Sequence, residues 1–197
     1  MVRAVCLDLM GVVLRDPYLE AIEAAIDVPM REAWRLRDPQ AWPEFECGRI
    51  DEAQFEARFW ADPAGELGFD REAFHRARRA GYGFLDGMEE LLTDLRGRVD
   101  LHVASNYPVW IAELRERFAL DQHFDGVWAS CHFGVRKPDP AFYTRLLDEV
   151  GHAAPDCLFV DDRPVNVEAA SAAGMRAAVF TSAADLRALL AGEGVLA

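Results

Sequence analysis

Val2-Arg3-Ala4-Val5-Cys6-Leu7-Asp8 is the stretch on which the fold turns. It is apolar apart from Arg3, carries β-branched Val2 and Val5, and stops at a carboxylate. An apolar run this short, with no helical spacing, reads as a buried strand over 2–7. Another short apolar run that stops at a carboxylate is Cys157-Leu158-Phe159-Val160-Asp161, and the chain holds no internal repeat. From residue 88 onward the pattern alternates regularly. Strands are predicted at 99–104, 127–130, 157–160 and 175–180. Helices are predicted at 88–95, 109–118, 140–150, 165–173 and 184–190. Strand–helix alternation of this kind specifies an α/β fold, a Rossmann-like parallel sheet with helices on both faces.

Between the first strand and the rest the character changes. Apolar residues recur at helical spacing in Leu19, Ile22 and Ile26, and again in Phe55, Phe59 and Trp60. Pro29, Pro39, Pro43, Gly48 and Pro63 cut the stretch into short helices, and Gly81, Gly83 and Gly87 mark its exit. The expected organisation is a core built from 1–15 and 82–197, with an α-helical insert over 16–81. Trp34, Trp42, Phe45, Phe55, Phe59 and Trp60 either line a pocket or pack the core of that insert, and packing is the simpler expectation. Arg15 and Tyr18 stand at its entrance, within reach of a ligand.

The 197 residues carry a net charge of −13, which argues against nucleic acid or an anionic membrane as partner. Four cysteines, Cys6, Cys47, Cys131 and Cys157, show no C-x-x-C spacing and read as reduced thiols. The first apolar run is too short for a signal h-region, and no stretch is long enough to span a bilayer. A cytoplasmic protein is expected. Of 21 basic residues only Lys137 is lysine. A lone lysine among arginines marks a place where a compact ammonium is wanted in preference to a planar fork.

In parallel α/β sheets ligands bind beyond the carboxyl ends of the strands. There the sequence places Asp8 to Gly11, Ser105 to Tyr107, the loop from Cys131 to Asp139, and Asp161 to Asn166. Asp8, Asp161, Asp162, the Ser105 hydroxyl, the Asn106 amide and Lys137 converge there from four separate loops. Simpler roles exist for some of them: Ser105 and the Asp161-Asp162 pair could cap the helices that follow.

Four segments resemble the motifs of the haloacid dehalogenase superfamily, in order and over essentially the whole chain. They are Leu7-Asp8-Leu9-Met10-Gly11-Val12-Val13, Val103-Ala104-Ser105-Asn106, Val135-Arg136-Lys137-Pro138-Asp139-Pro140, and Phe159-Val160-Asp161-Asp162-Arg163-Pro164. The resemblance implies a hydrolase with an α-helical cap where the insert lies, most often a phosphatase of a small phosphorylated metabolite. It implies Asp8 as nucleophile, with Lys137 bridging Asp8 and the phosphate. It implies Mg²⁺ held by Asp8, Asp162 and the Met10 carbonyl. Ser105 and the Asn106 backbone N–H would bind phosphate, and Asp161 would hold a water or orient Lys137. Resemblance favours Asp162 over Asp161 as the direct ligand. The chemistry is coherent, because a carboxylate approaches a phosphate dianion only with a cation between them.

One position departs from the pattern. Phosphatases of this family usually carry Asp two residues after the nucleophile, as general acid and base, and here Met10 stands there. General acid–base catalysis contributes roughly 10²–10⁴-fold. Two alternatives follow from the gap: a non-catalytic phosphate-binding or regulatory protein, or a 2-haloacid dehalogenase-type hydrolase, which needs neither metal nor acid. That branch carries Tyr where Met10 stands and lacks the paired aspartates. A phosphonate-cleaving variant would need a cap lysine, and the insert has none.

Overall fold

The computed structural model describes residues 1–59 and 68–196. Five strands, β1 (Ala4–Leu7), β2 (Asp100–Ser105), β3 (Gly126–Ala129), β4 (Cys157–Asp161) and β5 (Arg176–Val179), form one sheet. Their order is β3-β2-β1-β4-β5, and every pairing is parallel. Alternate side chains of each strand feed two cores. Val5 and Leu7 join one apolar cluster, while Ala4 and Cys6 join the other, under Phe142, Tyr143 and Leu146.

After β1 come α1 (Tyr18–Glu23), α2 (Met30–Leu36), α3 (Ala41–Glu46), α4 (Glu52–Phe59) and α5 (Arg71–Gly81). No strand occurs among the described residues of this segment. Its ends lie side by side: Arg15 N donates to Gly83 O at 2.9 Å and Leu85 N to Val13 O at 3.0 Å. The remaining helices are α6 (Met88–Leu95), α7 (Ile111–Arg117), α8 (Leu120–His123), α9 (Ser130–Phe133), α10 (Pro140–Val150), α11 (Pro164–Ala172) and α12 (Ala183–Gly192). The four-residue helices α8 and α9 were not expected, because one turn is too short to display a hydrophobic period.

The aromatic residues of the helical segment pack as a core. Phe45, Phe55 and Phe59 are fully buried, with Phe45 and Phe55 stacked at 4.7 Å. Trp110, at the start of α7, meets Phe45 at 5.0 Å and Phe74 at 6.1 Å. Its indole N–H donates to Glu52 at 2.6 Å, so the segment is docked on the sheet-bearing part through both apolar and polar contacts. Trp34 is half-buried beneath the Arg37 guanidinium, and Trp60 lies outside the described residues.

Candidate active site

The sheet order puts β1 between β2 and β4, so the residue after β1 emerges beside the ends of both neighbours. Leu7 pairs with Val103 and Val160, and Asp8 N donates to Val160 O at 2.9 Å. Asp8, Ser105 and Asp161 therefore reach one edge of the sheet together. The chain runs from β1 outward to β3 and then crosses to β4, which makes this edge the topological switch point.

Lys137 is only 1% exposed, and its ammonium is fully engaged by the core. Nζ lies 3.1 Å from Asp8 Oδ1 and 2.5 Å from Asp161 Oδ2, and donates to Ala104 O at 2.8 Å. Three donors meet three acceptors, which a planar guanidinium could not match. The loop carrying Lys137 is clasped by Asn106. Its Nδ2 donates to Lys137 O at 2.9 Å, and its Oδ1 accepts from Lys137 N at 2.7 Å. The Asn106 side chain thus positions the lysine.

The two adjacent aspartates occupy different environments. Asp161 is fully buried, and both oxygens are taken. Oδ1 accepts from Arg163 N and Asn166 Nδ2 at 2.9 Å each, while Oδ2 faces Lys137 and accepts from Asn166 Nδ2 at 3.1 Å. Asp162 is exposed and points at the loop after β1. Gly11, at φ +80°, makes room for it, since a Cβ there would lie 2.9 Å from Asp162 Oδ2. One oxygen each from Asp8, Asp161 and Asp162 lie within 4.8 Å of one another.

These charges act on one another. Burial pushes the Asp8 carboxyl up to about 6, against the pull of Lys137, with Asp161 adding repulsion. Asp162 is also raised, first by desolvation and then by Asp161. Three carboxylates facing one ammonium leave an excess of negative charge, and all the donors are hard oxygens. A small divalent cation fits that set.

The cavity over this edge is about 460 Å³. Asp8, Met10, Ser105, Asn106, Lys137 and Asp162 line it from the sheet side. Tyr18, Arg37, Trp42 and Glu46 face them from the helical segment, with Tyr18 and Trp42 in ring contact at 4.5 Å. Ser105 Oγ is buried at the cavity, close enough for its hydroxyl to hold the Asp8 carboxyl down.

All the residues selected from the sequence thus meet at one cavity except Asp161, which lies behind Lys137. Two simpler expectations do not hold. Ser105 is the last residue of β2, and the helix after it starts only at Ile111, so neither Ser105 nor Asn106 stands at a helix start. The cap position of α11 is Arg163, so neither aspartate is its N-cap residue. Arg15 pairs with Glu20 at the surface. Sequence inspection did not single out Asn166, Arg136 or Glu46. Asn166 carried a faint signal, a buried amide in the first helical turn after a strand-end aspartate.

A parallel α/β sheet with a carboxylate–lysine–carboxylate line at its switch point defines a class of hydrolase. The family model described as haloacid dehalogenase-like hydrolase matches residues 2–174, and the chain belongs to that family. It is 35% identical over 189 residues to flavin mononucleotide hydrolase 1, chloroplastic, of Arabidopsis thaliana, covering 95% of this chain and 76% of that one. It is 30% identical over 153 residues to the sesquiterpene phosphatase astK of Aspergillus oryzae, covering 75% and 76%. A HAD-family enzyme of Bacteroides thetaiotaomicron, in complex with magnesium and inorganic phosphate, shares the fold with a TM-score of 0.75. Their identity is 17%, over 92% of this chain and 96% of that one. The chain is a hydrolase with phosphatase relatives, which sets aside a purely non-catalytic role. Among the described residues no helix is long and apolar enough to cross a membrane.

Proposed function

We propose that this hydrolase is a magnesium-dependent phosphatase of a small phosphorylated metabolite, working through an aspartyl phosphate on Asp8. The observation that carries the proposal is Lys137, buried with its ammonium between Asp8 and Asp161. An ammonium wedged there keeps Asp8 ionised beside a second carboxylate, as a nucleophile requires.

Asp8, Asp162 and the Met10 carbonyl would hold Mg²⁺, which supplies charge neutralisation for the phosphate oxygens. Asp161 is spoken for by Lys137, Asn166 and Arg163, which leaves Asp162 as the free ligand. The Ser105 hydroxyl and the Asn106 backbone N–H bind phosphate oxygens. Lys137 neutralises charge on the Asp8–phosphate pair, and Asp161 orients Lys137. Asp8 Oδ2 attacks phosphorus, since Oδ1 is held by Leu9 N at 2.7 Å and by Lys137. The segment 16–81 serves as a cap over the core formed by 1–15 and 82–197, screening the site from water and contacting the leaving group. The cytoplasm is the proposed compartment, where four unpaired thiols stay reduced. Dehalogenation is disfavoured by Asp162, whose charge beside Asp8 repels a carboxylate substrate.

A panel of phosphorylated metabolites assayed with Mg²⁺ tests the proposal. Turnover is expected to stop in excess EDTA and to fall by on the order of 10⁴-fold or more in Asp8→Asn, as removal of a nucleophile does. Full turnover in EDTA, or an active Asp8→Asn protein, contradicts it.

A further inference from the structure

Met10 removes the group that ordinarily protonates the leaving oxygen, so the cavity must be searched for another. Four carboxylates line it: Asp8, Asp16, Glu46 and Asp162. Asp8 and Asp162 are committed to the nucleophile and cation roles. Asp16 is exposed, and its Oδ1 accepts from Tyr18 N at 3.0 Å. Glu46 is 5% exposed and held from several sides.

We propose that Glu46 of the helical segment is the general acid and base of this phosphatase, replacing the carboxylate missing at Met10. The proposal rests on the phosphatase assignment above. Glu46 ends α3, and its carbonyl accepts from Ser130 Oγ, whose hydroxyl also accepts from Tyr107 N at 3.0 Å. The next residue but one, Gly48, runs so close to Cys131 that a Cβ would lie 3.1 Å from the Cys131 carbonyl. The backbone of Glu46 is thereby pinned to the sheet-bearing part, although its helix belongs to the insert. In the side chain, Oε1 accepts the Trp42 indole N–H at 2.7 Å. Oε2 has no hydrogen-bond partner among the described residues, and its ionic neighbour is Arg136 Nη2 at 3.1 Å. Oε1 is fixed by the indole, and Oε2 is held only by its ionic contact with Arg136, at the cavity that Glu46 lines.

The electrostatic setting suits a proton donor near neutrality. Burial pushes the Glu46 carboxyl up to about 7, opposed by Arg136 and the Trp42 hydrogen bond. From across the cavity Asp8 raises it and Lys137 lowers it, while Tyr18 and Cys47 are its other titratable neighbours. A group with its pKa near the working pH is the efficient acid–base catalyst.

The steps balance. An Asp8 carboxylate oxygen forms a bond to phosphorus as the bond from phosphorus to the leaving oxygen breaks. The proton on Glu46 Oε2 passes to that oxygen, leaving Glu46 as a carboxylate beside Arg136. Water then attacks phosphorus and loses a proton to Glu46, and the bond from Asp8 to phosphorus breaks. Inorganic phosphate leaves, with Asp8 ionised and Glu46 protonated again.

Alkyl phosphates expel basic alkoxides and need that proton, whereas p-nitrophenyl phosphate does not. The experiment compares kcat/KM for p-nitrophenyl phosphate and the best alkyl phosphate, from pH 5 to 9, with Mg²⁺. In the wild type the alkyl rate should fall as pH rises through about 7, and the aryl rate should not. Glu46→Gln should lose roughly 10²-fold or more on the alkyl ester and far less on the aryl one. It should also lose the pH limb. Met10→Asp placed in the Glu46→Gln background should restore the alkyl rate, which a merely structural defect would not allow. Asp16→Asn should keep the alkyl-to-aryl ratio. An unchanged ratio in Glu46→Gln, a ratio lost in Asp16→Asn instead, or a wild type that hydrolyses aryl but no alkyl phosphates overturns the proposal. If Glu46→Gln does not fold, the wild-type profiles decide, and identical alkyl and aryl profiles overturn it. Failure of the phosphatase assignment is distinct: the wild type would then hydrolyse neither ester.

Discussion

The two walls of the cavity are built on opposite principles. On the sheet side most polar groups are cross-linked to one another: Lys137 meets three oxygens, Asp161 meets Lys137, Asn166 and Arg163, and Asn106 clasps the lysine loop, while Ser105 Oγ and Arg136 Nε have no hydrogen-bond partner among the described residues. On the helical side Tyr18 Oη, Arg37 Nε and Arg78 Nε are buried with no hydrogen-bond partner among the described residues, and Glu46 Oε2 has only its ionic contact with Arg136. A buried polar atom left unpaired costs about 1–3 kcal/mol, so these atoms favour a polar ligand in the cavity. The sheet wall is tied together by its own hydrogen bonds, and the helical wall, under the proposal above, supplies Glu46 as the acid and base.

The sharpest way to break this contrast is at Lys137. Lys137→Arg puts a larger, planar cation where a buried ammonium is matched to three oxygens, and overpacking there costs roughly 1–3 kcal/mol of stability. The larger effect is on rate. Loss of the ammonium's three-way fit should lower kcat by about 10²–10³-fold, the scale of losing one preorganised donor. Wild-type turnover from a folded Lys137→Arg protein would mean that the core wall tolerates what the helical wall tolerates.

Glu46 sharpens the contrast through stability. Its pKa rises from the ordinary 4.5 to about 7 on folding, so the folded protein binds that proton more tightly. The contribution to stability is fully present below about pH 4.5 and is lost as pH rises through 7. Glu46→Gln removes the cost of a buried charge. It should therefore be more stable than wild type at pH 8, by on the order of 1–3 kcal/mol, with the difference shrinking toward pH 4.5. Denaturant titrations at the two pH values check this, and a variant less stable than wild type at pH 8 contradicts it. Activity and stability should move in opposite directions at this one residue.

The same division governs what the sequence reveals. Asp8, Ser105 and Asp161 are legible because each stands at the end of an apolar run, and Lys137 because it is the one lysine. Parallel pairing then forces neighbouring strand ends together, so convergence follows from topology alone. Glu46 carries no such mark. It ends a six-residue helix in a stretch broken by prolines, and its backbone is held at the cavity by a hydrogen bond to Ser130, 84 positions away. Met10 announces that a group is missing, but not where its substitute lies. Strand and helix identities followed the alternation closely. The helix after β2 starts later than its apolar pattern because residues 106–108 run as a loop that carries Asn106 to the lysine.

The central claim is that Asp8 becomes phosphorylated. Rapid mixing of the protein with Mg²⁺ and excess of its best phosphate ester, acid quenching, and mass spectrometry of the peptide containing Asp8 test this directly. The account predicts a phosphate adduct on Asp8 that forms and decays at rates compatible with kcat and is missing from Asp8→Asn. Steady turnover with no adduct at any quench time, in a protein whose Asp8→Asn variant still hydrolyses the ester, would contradict it.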